Sequence, residues 1–325
     1  MSLISIVVPT HNESANIEPL YRRLVTVFDS LPNDDFELIF CDDSTDSTPE
    51  KIASLHDADP RIKLVRLSRR FGQTIAVTAG VDRASGDALI MMDADLQDPP
   101  ESIPDLLERW RSGYEVVYVQ RSSGSTYVLY QVFAYVFYRL LRRMASVEIP
   151  VDAGEFRLLD RKVVRYLQKL TEHTRYLRGL SVLPGFRQTS VRIQRAERQQ
   201  GQTNYNFKRS LLVAIDGMMS FSIVPLRLAT FLGVIMTGSS FALTLTYAVW
   251  RLRNPSLGPP GWPPIIISIL LFGGIQLLVL GILGEYVARI FIEVQNRPVY
   301  WVDYELGLAD TEADRERRSA TRPTR

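Results

Sequence analysis

Ala88-Leu89-Ile90-Met91-Met92-Asp93-Ala94-Asp95 is the stretch on which the fold turns. An apolar run that follows a helical pattern reads as a strand buried on both faces of a parallel sheet. The two carboxylates then emerge at its carboxyl end, where open α/β sheets bind ligands. Carboxylates on one rigid turn suit a hard divalent cation that also grips a diphosphate. Taken alone, Asp-x-Asp is also ordinary turn chemistry, because Asp bonds readily to loop backbone. The neighbouring elements decide between the two.

Working outward, Leu3 to Val8 reads as a strand, and Ala15 to Phe28 as a helix with Ile17, Leu20, Leu24, Val27 and Phe28 on one face. Phe36 to Cys41 is a second strand, and Thr48-Pro49 has the chemistry of a helix cap and first turn. Further strands are predicted at Ile62 to Leu67 and Glu115 to Val119, with a helix over Thr74 to Ala84. Such alternation implies an α/β fold with a doubly wound, mainly parallel sheet. No Gly-x-Gly-x-x-Gly is present, which argues against a dinucleotide-binding site.

On that scheme three acidic or polar clusters fall at strand ends of one sheet edge: Pro9 to Glu13, Asp42-Asp43 with Asp46, and Asp93 to Asp98. Independent turns would scatter their acids over both edges, so the convergence favours a site over turn chemistry.

The C-terminal half carries a different signal. Leu228 to Trp250 and Ile265 to Leu283 contain no charged residue, and each approaches the roughly 20 residues a helix needs to cross a bilayer. They read as a transmembrane hairpin around the Pro- and Gly-rich loop Asn254 to Pro264. Lys208, Arg209, Arg227, Arg289 and Arg297 flank the hairpin, against Arg251 and Arg253 in its loop, which places both termini in the cytoplasm. Ile4 to Val8 is too short for a signal peptide. The lone Cys41 excludes an intrachain disulfide and fits a reducing compartment. A net charge of +2 argues against a nucleic-acid partner.

Helix candidates at Tyr127 to Met144 and Phe207 to Phe221 are apolar over one face. The first reads as core packing, with membrane-surface contact as the alternative, and the second as an interfacial helix. Glu285 reads as a snorkelling side chain, and the charged tail from Asp310 as disordered.

The motifs occur in a telling order: Ile6-Val7-Val8-Pro9-Thr10-His11-Asn12-Glu13, Asp42-Asp43-Ser44, Asp93 to Pro100, Gly154-Glu155-Phe156-Arg157, and Arg198 to Asn204. With two terminal membrane helices they resemble the inverting family 2 glycosyltransferases that load a sugar onto a polyprenyl phosphate. The likeness runs to about Leu306 and points to the bacterial lipopolysaccharide-modifying glucosyltransferases, with dolichol-phosphate mannose synthases also similar.

The resemblance implies a GT-A-like domain over residues 1–206, interfacial helices over 207–227, a transmembrane hairpin over 228–287 and a cytoplasmic C-terminal segment over 288–325. It implies donor contacts from Pro9, His11, Glu13, Asp42, Asp93, Ala94, Arg121 and Arg198, with Asp42 on the uracil or ribose. Asp93, Asp95 and Gln97 match the diphosphate and metal region, where Mg2+ or Mn2+ would neutralise the leaving group. Asp95, Glu155 and Arg157 are the catalytic candidates, and Arg175 and Arg178 the acceptor-phosphate candidates.

Two positions depart from the family pattern: Asn204 stands where Lys is usual, and Glu155 where Asp is usual. The implied partners are a nucleotide sugar, UDP-glucose foremost, polyprenyl phosphate and the lipid bilayer of the inner or plasma membrane. Homo-oligomerisation stays open. Two alternatives also stay open, a GDP-mannose enzyme of the dolichol-phosphate type and a noncatalytic nucleotide-sugar-binding scaffold. A processive synthase is disfavoured by the absence of Gln-x-x-Arg-Trp.

Overall fold

The protein is described from a computed structural model that covers residues 1–121, 153–170, 172, 177–181, 184–193, 224–253 and 263–308. The chain divides into two compact units. One comprises Met1–Tyr135, Val147–Asn204 and Pro298–Arg325, and the other Val136–Ser146 and Tyr205–Arg297.

The first unit is built on strands β1 (Ser2–Thr10), β2 (Asp34–Asp42), β3 (Ile62–Leu67), β4 (Ala88–Met91), β5 (Val116–Arg121), β6 (Ala153–Asp160), β7 (Gln188–Ile193) and β8 (Val302–Leu306). They form one sheet in the order β7-β5-β6-β4-β1-β2-β3-β8. β1 runs parallel to β2 and β4, β2 to β3, and β5 to β7. β6 is antiparallel to β4 and β5, and β8 to β3. The mainly parallel α/β sheet expected from the alternation is therefore present.

Strand alternation sorts the core into two layers. Ile4, Ile6 and Val8 share a buried cluster with Leu20 and Leu24 of α1 (Ile17–Asp29), Ile52 of α2 (Thr48–Ala58) and Leu106 of α4 (Ile103–Arg111). Val7 faces the other way, towards α3 (Gln73–Arg83). Gly80 makes that contact feasible, because a Cβ there would lie 2.4 Å from Val7 Cγ1 and 2.7 Å from Cys41 Sγ. Helix α5 (Arg161–Lys169) packs beside α3 on the same layer. Helices on both faces make the sheet doubly wound.

Predicted element bounds agree to within a few residues, with one difference in capping. Thr48 is the first residue of α2, and the orphan N–H of Thr48 is met by Asp46 Oδ1 at 3.1 Å. Strands β6, β7 and β8 are absent from the sequence reading, and each pairs with a strand remote in the chain.

One buried charge stabilises this sheet. Glu37 is 3% exposed, with Lys63 Nζ 2.5 Å from its Oε2 and Ser5 Oγ and Ser85 N also donating to it. Burial alone would raise its carboxyl pKa, but these partners hold it below the ordinary range. A carboxyl depressed on folding stabilises above its unfolded pKa and loses that contribution as pH falls through the folded one. Glu37→Gln should lower stability by about 2–3 kcal/mol at neutral pH. The gap to wild type should shrink once pH drops below the ordinary carboxylate range, which unfolding curves across that interval would register.

In the second unit, α7 (Val224–Arg253) and α8 (Pro263–Gln295) are 30 and 33 residues long. Leu226–Trp250 and Leu271–Gln295 are each long and apolar enough to cross a membrane, and they leave Phe231, Phe241, Leu277 and Leu278 exposed. A helix in the core of a soluble domain would bury those side chains, so the pair suits an apolar solvent. Glu285 pairs with Arg289 at 3.0 Å one turn on, so its charge is met within the helix.

Candidate active site

The registers bring the acidic clusters to one edge. Thr10 pairs with Asp42 and Val7 with Met91, so the loops after β1, β2 and β4 leave the sheet side by side. β6 runs antiparallel to β4 with Ala88 opposite Asp160 and Met91 opposite Arg157. Continuing each strand by two residues brings Asp93 and Glu155 to the same edge. Arg121 closes β5 at this edge too, beside the start of β6, where Gln120 pairs with Ala153.

The loops after β1 and β2 are laced together. Thr10 Oγ1 donates to Asp42 Oδ1 at 2.8 Å, and His11 Nδ1 lies 2.7 Å from Asp43 Oδ1. Asn12 N donates to Ser44 Oγ at 2.8 Å, and Asn12 Oδ1 accepts from Thr45 N at 2.8 Å. Glu13 N donates to Thr48 Oγ1 at 3.1 Å, while its carboxylate accepts from Asn16. Asn12 sits at φ +60°, a left-handed conformation that Asn tolerates better than most residues.

Asp42 is fully buried. Its carboxylate accepts from Thr10, from Ser44 N and Oγ, and from Arg66 Nη1, while Arg66 Nη2 donates to Ser44 O at 2.6 Å. As placed, Asp42 offers no surface to a ligand; it neutralises Arg66 and ties the two loops. Asp43, 5% exposed, holds His11 on one oxygen and accepts from Phe71 N and Gly72 N at 3.0 and 3.3 Å on the other. His11 keeps about a third of its side chain exposed, so unlike Asp42 and Asp43 it is open to a ligand.

At the β4 end, Asp93 and Asp95 are half-buried, Ala94 and Gln97 buried. Gln73 Nε2 donates to Asp93 Oδ1 at 2.6 Å, and Gln97 N donates to Asp95 Oδ1 at 3.1 Å. Leu96 between them lies at φ +61°, unusual for Leu, with its side chain against the core. The fixed left-handed turn holds Asp95 above the strand end. Among the described residues no three His, Cys, Asp or Glu side chains gather into a ligand set. Two half-exposed carboxylates fit a hard cation that takes its remaining oxygens from diphosphate and water, as Mg2+ characteristically does.

Glu155 is half-buried on β6. Arg157, two residues on, is 2% exposed and donates to Gly154 O at 2.9 Å and Ser181 Oγ at 3.3 Å. Arg178 lies in the single turn α6 (Leu177–Leu180). The side chains of Arg121 and Arg178, and all of Arg175, Arg198, Asn204, the 127–144 and 207–221 helix candidates and the tail from Asp310, fall outside the described residues.

Arg66 and Gln73 are absent from the sequence reading. A signal for Arg66 existed: a cation inside the apolar run Ile62 to Leu67 demands a buried partner, and register supplies Asp42 directly opposite. Gln73 carries no comparable signal, because its contact with Asp93 depends on how α3 docks.

Residues 5–167 match the family described as Glycosyl transferase family 2. The chain is 43% identical to an uncharacterized glycosyltransferase, YkcC, of Bacillus subtilis (strain 168), over 94% of each chain. It is 38% identical to the SfII prophage-derived bactoprenol glucosyl transferase of Shigella flexneri, over 91% of this chain and 96% of that one. A mannosyltransferase of Pyrobaculum calidifontis solved with GDP-Man and Mn2+ is 14% identical, with a TM-score of 0.45 over 91% of this chain and 88% of that one, too distant to bear on ligands. A family match over half the chain and relatives of this identity along nearly all of it lead to one conclusion: the chain belongs to glycosyl transferase family 2.

Proposed function

We propose that this protein transfers a hexose, glucose foremost, from a UDP-sugar to a polyprenyl phosphate with inversion at the anomeric carbon. The observation that carries the reading is the 38% identity to a bactoprenol glucosyl transferase along nearly the whole of both chains. The acids converging on one sheet edge and the two apolar helices in the same chain support it. A lipid acceptor calls for an enzyme held at a membrane, with its catalytic unit on the cytoplasmic side where nucleotide sugars reside.

In this reading His11, Pro9 and Glu13 line the nucleotide pocket, while Asp42 and Asp43 hold the loops that form it. Asp93 and Asp95 would hold Mg2+ or Mn2+, which stabilises charge developing on the leaving diphosphate. Arg121 and Arg198 would add cations to the donor side, and Arg175 and Arg178 would seat the acceptor phosphate. An acceptor phosphate oxygen forms the new bond to C1 as the C1–O bond to the nucleoside diphosphate breaks on the opposite face. The bonding pair of that broken bond leaves with the diphosphate. A phosphate monoester has its second pKa near 6, so the acceptor is largely dianionic at neutral pH and attacks without a base. Glu155 then orients groups at the Asp93 edge.

Purified full-length protein, incubated with undecaprenyl phosphate and labelled UDP-glucose, UDP-N-acetylglucosamine and GDP-mannose in turn, tests the reading. Lipid-soluble label from a UDP-sugar is the expected result. Label from GDP-mannose alone would move the protein to the mannose-synthase alternative, and no label despite nucleotide binding would make it a scaffold. The role of Glu155 has its own test. Glu155→Gln should keep at least about a tenth of the wild-type rate above pH 7, since positioning survives loss of basicity. A drop of several orders of magnitude at unchanged substrate affinities would assign it the base role instead.

A further inference from the structure

The segment after α8 returns to the sheet and grips α3. β8 pairs antiparallel with β3 from Leu64–Leu306 to Leu67–Val302, and Ser68 N donates to Trp301 O at 3.0 Å, where the β3–α3 loop begins. Tyr300, 9% exposed, donates its hydroxyl hydrogen to Asp82 Oδ2 at 2.8 Å and accepts from Arg83 Nη1 at 2.7 Å. Arg83 Nη2 lies 2.8 Å from Glu305 Oε1, and both side chains are largely buried. Burial, with Asp82 alongside, pushes the Tyr300 phenol up, so it stays a neutral donor at any working pH.

Asp82 and Arg83 end α3, whose other end reaches the candidate site. There Gln73 holds Asp93 at 2.6 Å, and Phe71 N and Gly72 N hold Asp43. Between the two ends, Gly80 rests on Val7 and Cys41 with no room for a Cβ. An 11-residue helix is a rod of about 16 Å, and one packed this closely moves as a unit. Whatever fixes its far end therefore helps to fix Gln73.

We propose that β8, through the Tyr300–Arg83–Glu305–Asp82 cluster, is a working part of the donor site: it sets the position of α3 and so of Gln73 on Asp93. Tyr300, Glu305, Arg83 and Gln73 are positioning residues, and none touches the reacting atoms. The inference rests on the reading of Asp93 as part of a metal–nucleotide seat.

The test is calorimetric titration of the full-length protein in detergent with UDP and Mn2+, beside saturation curves for undecaprenyl phosphate. Tyr300→Phe keeps the ring and removes both hydroxyl bonds; Glu305→Gln loosens the other half of the cluster. Each should raise the Kd for UDP·Mn2+ about three- to tenfold, and Gln73→Ala should do the same, with acceptor KM unchanged in all three. In the Tyr300→Phe/Gln73→Ala double variant the losses should not add, because both act along one path. A lowered unfolding temperature with unchanged UDP·Mn2+ affinity in Tyr300→Phe and Glu305→Gln would overturn the proposal, as would additive losses in the double variant. Asp93→Asn separates the two levels. If UDP·Mn2+ binding survives that change, the donor-site reading falls and the coupling with it; if binding depends on Asp93 but not on Tyr300 or Glu305, only the coupling falls.

Discussion

Asp95→Ala is expected to reduce sugar transfer by about three orders of magnitude, some 4 kcal/mol of transition-state stabilisation, while the protein still folds. Asp95 is half-buried just beyond the end of β4 and accepts from the Gln97 backbone N–H, so removing it costs the core little. What it removes is one of two carboxylates at the strand end, and with it the hold on a cation facing the leaving diphosphate. Turnover should be assayed at saturating donor and over a range of Mn2+ concentrations. Partial recovery at high Mn2+ would fit a weakened metal seat. Full activity in Asp95→Ala, or in wild type with excess chelator, would remove Asp95 and the metal from the mechanism.

The second large effect concerns stability. Asp42→Ala is expected to cost about 3–5 kcal/mol, because it strands the Arg66 guanidinium and the Thr10 and Ser44 hydroxyls around a buried, emptied site. Replacing the pair as a whole, Asp42→Leu with Arg66→Met, should regain most of that loss, as substitutions of buried ion pairs by apolar residues often do. Nucleotide affinity should stay low in the double variant. The reason is that the Asp42 carboxylate anchors Thr10 and Ser44, and Ser44 Oγ in turn holds the Asn12 backbone beside His11. Thermal unfolding and UDP titration of the single and double variants decide the matter. Restored stability together with restored UDP affinity would mean that the lacing of the two loops is dispensable for binding.

These two predictions mark where sequence and structure part company. Asp93 and Asp95 are legible because their placement is local: an apolar run sets the strand, and the acids that follow must emerge at its end. The amphipathic face of α1 and the apolar lengths of α7 and α8 are legible for the same reason, since periodicity and composition act over neighbouring residues. Family membership is legible as well, because motif order survives in the linear chain.

Asp42 and Asp43 look alike in sequence. Strand alternation turns them to opposite faces, and only the pairing of β2 with β3 decides that one is buried against Arg66 while the other braces His11. Glu155 comes level with Asp93 only through antiparallel pairing with β4, which no local pattern announces. Val302 to Leu306 is a short alternating segment after an apolar helix, and nothing in its composition names a partner. Its place beside β3, more than 200 residues away, is set by long-range backbone hydrogen bonds and by the Arg83–Glu305 and Tyr300–Asp82 contacts. Chain-neighbour physics thus determined most of the elements, the acidic turn and the two long apolar helices. The assignment of each acid to ligand, support or partner waited on register and docking, because a carboxylate's role depends on which cation and which N–H the fold brings within 3 Å of it.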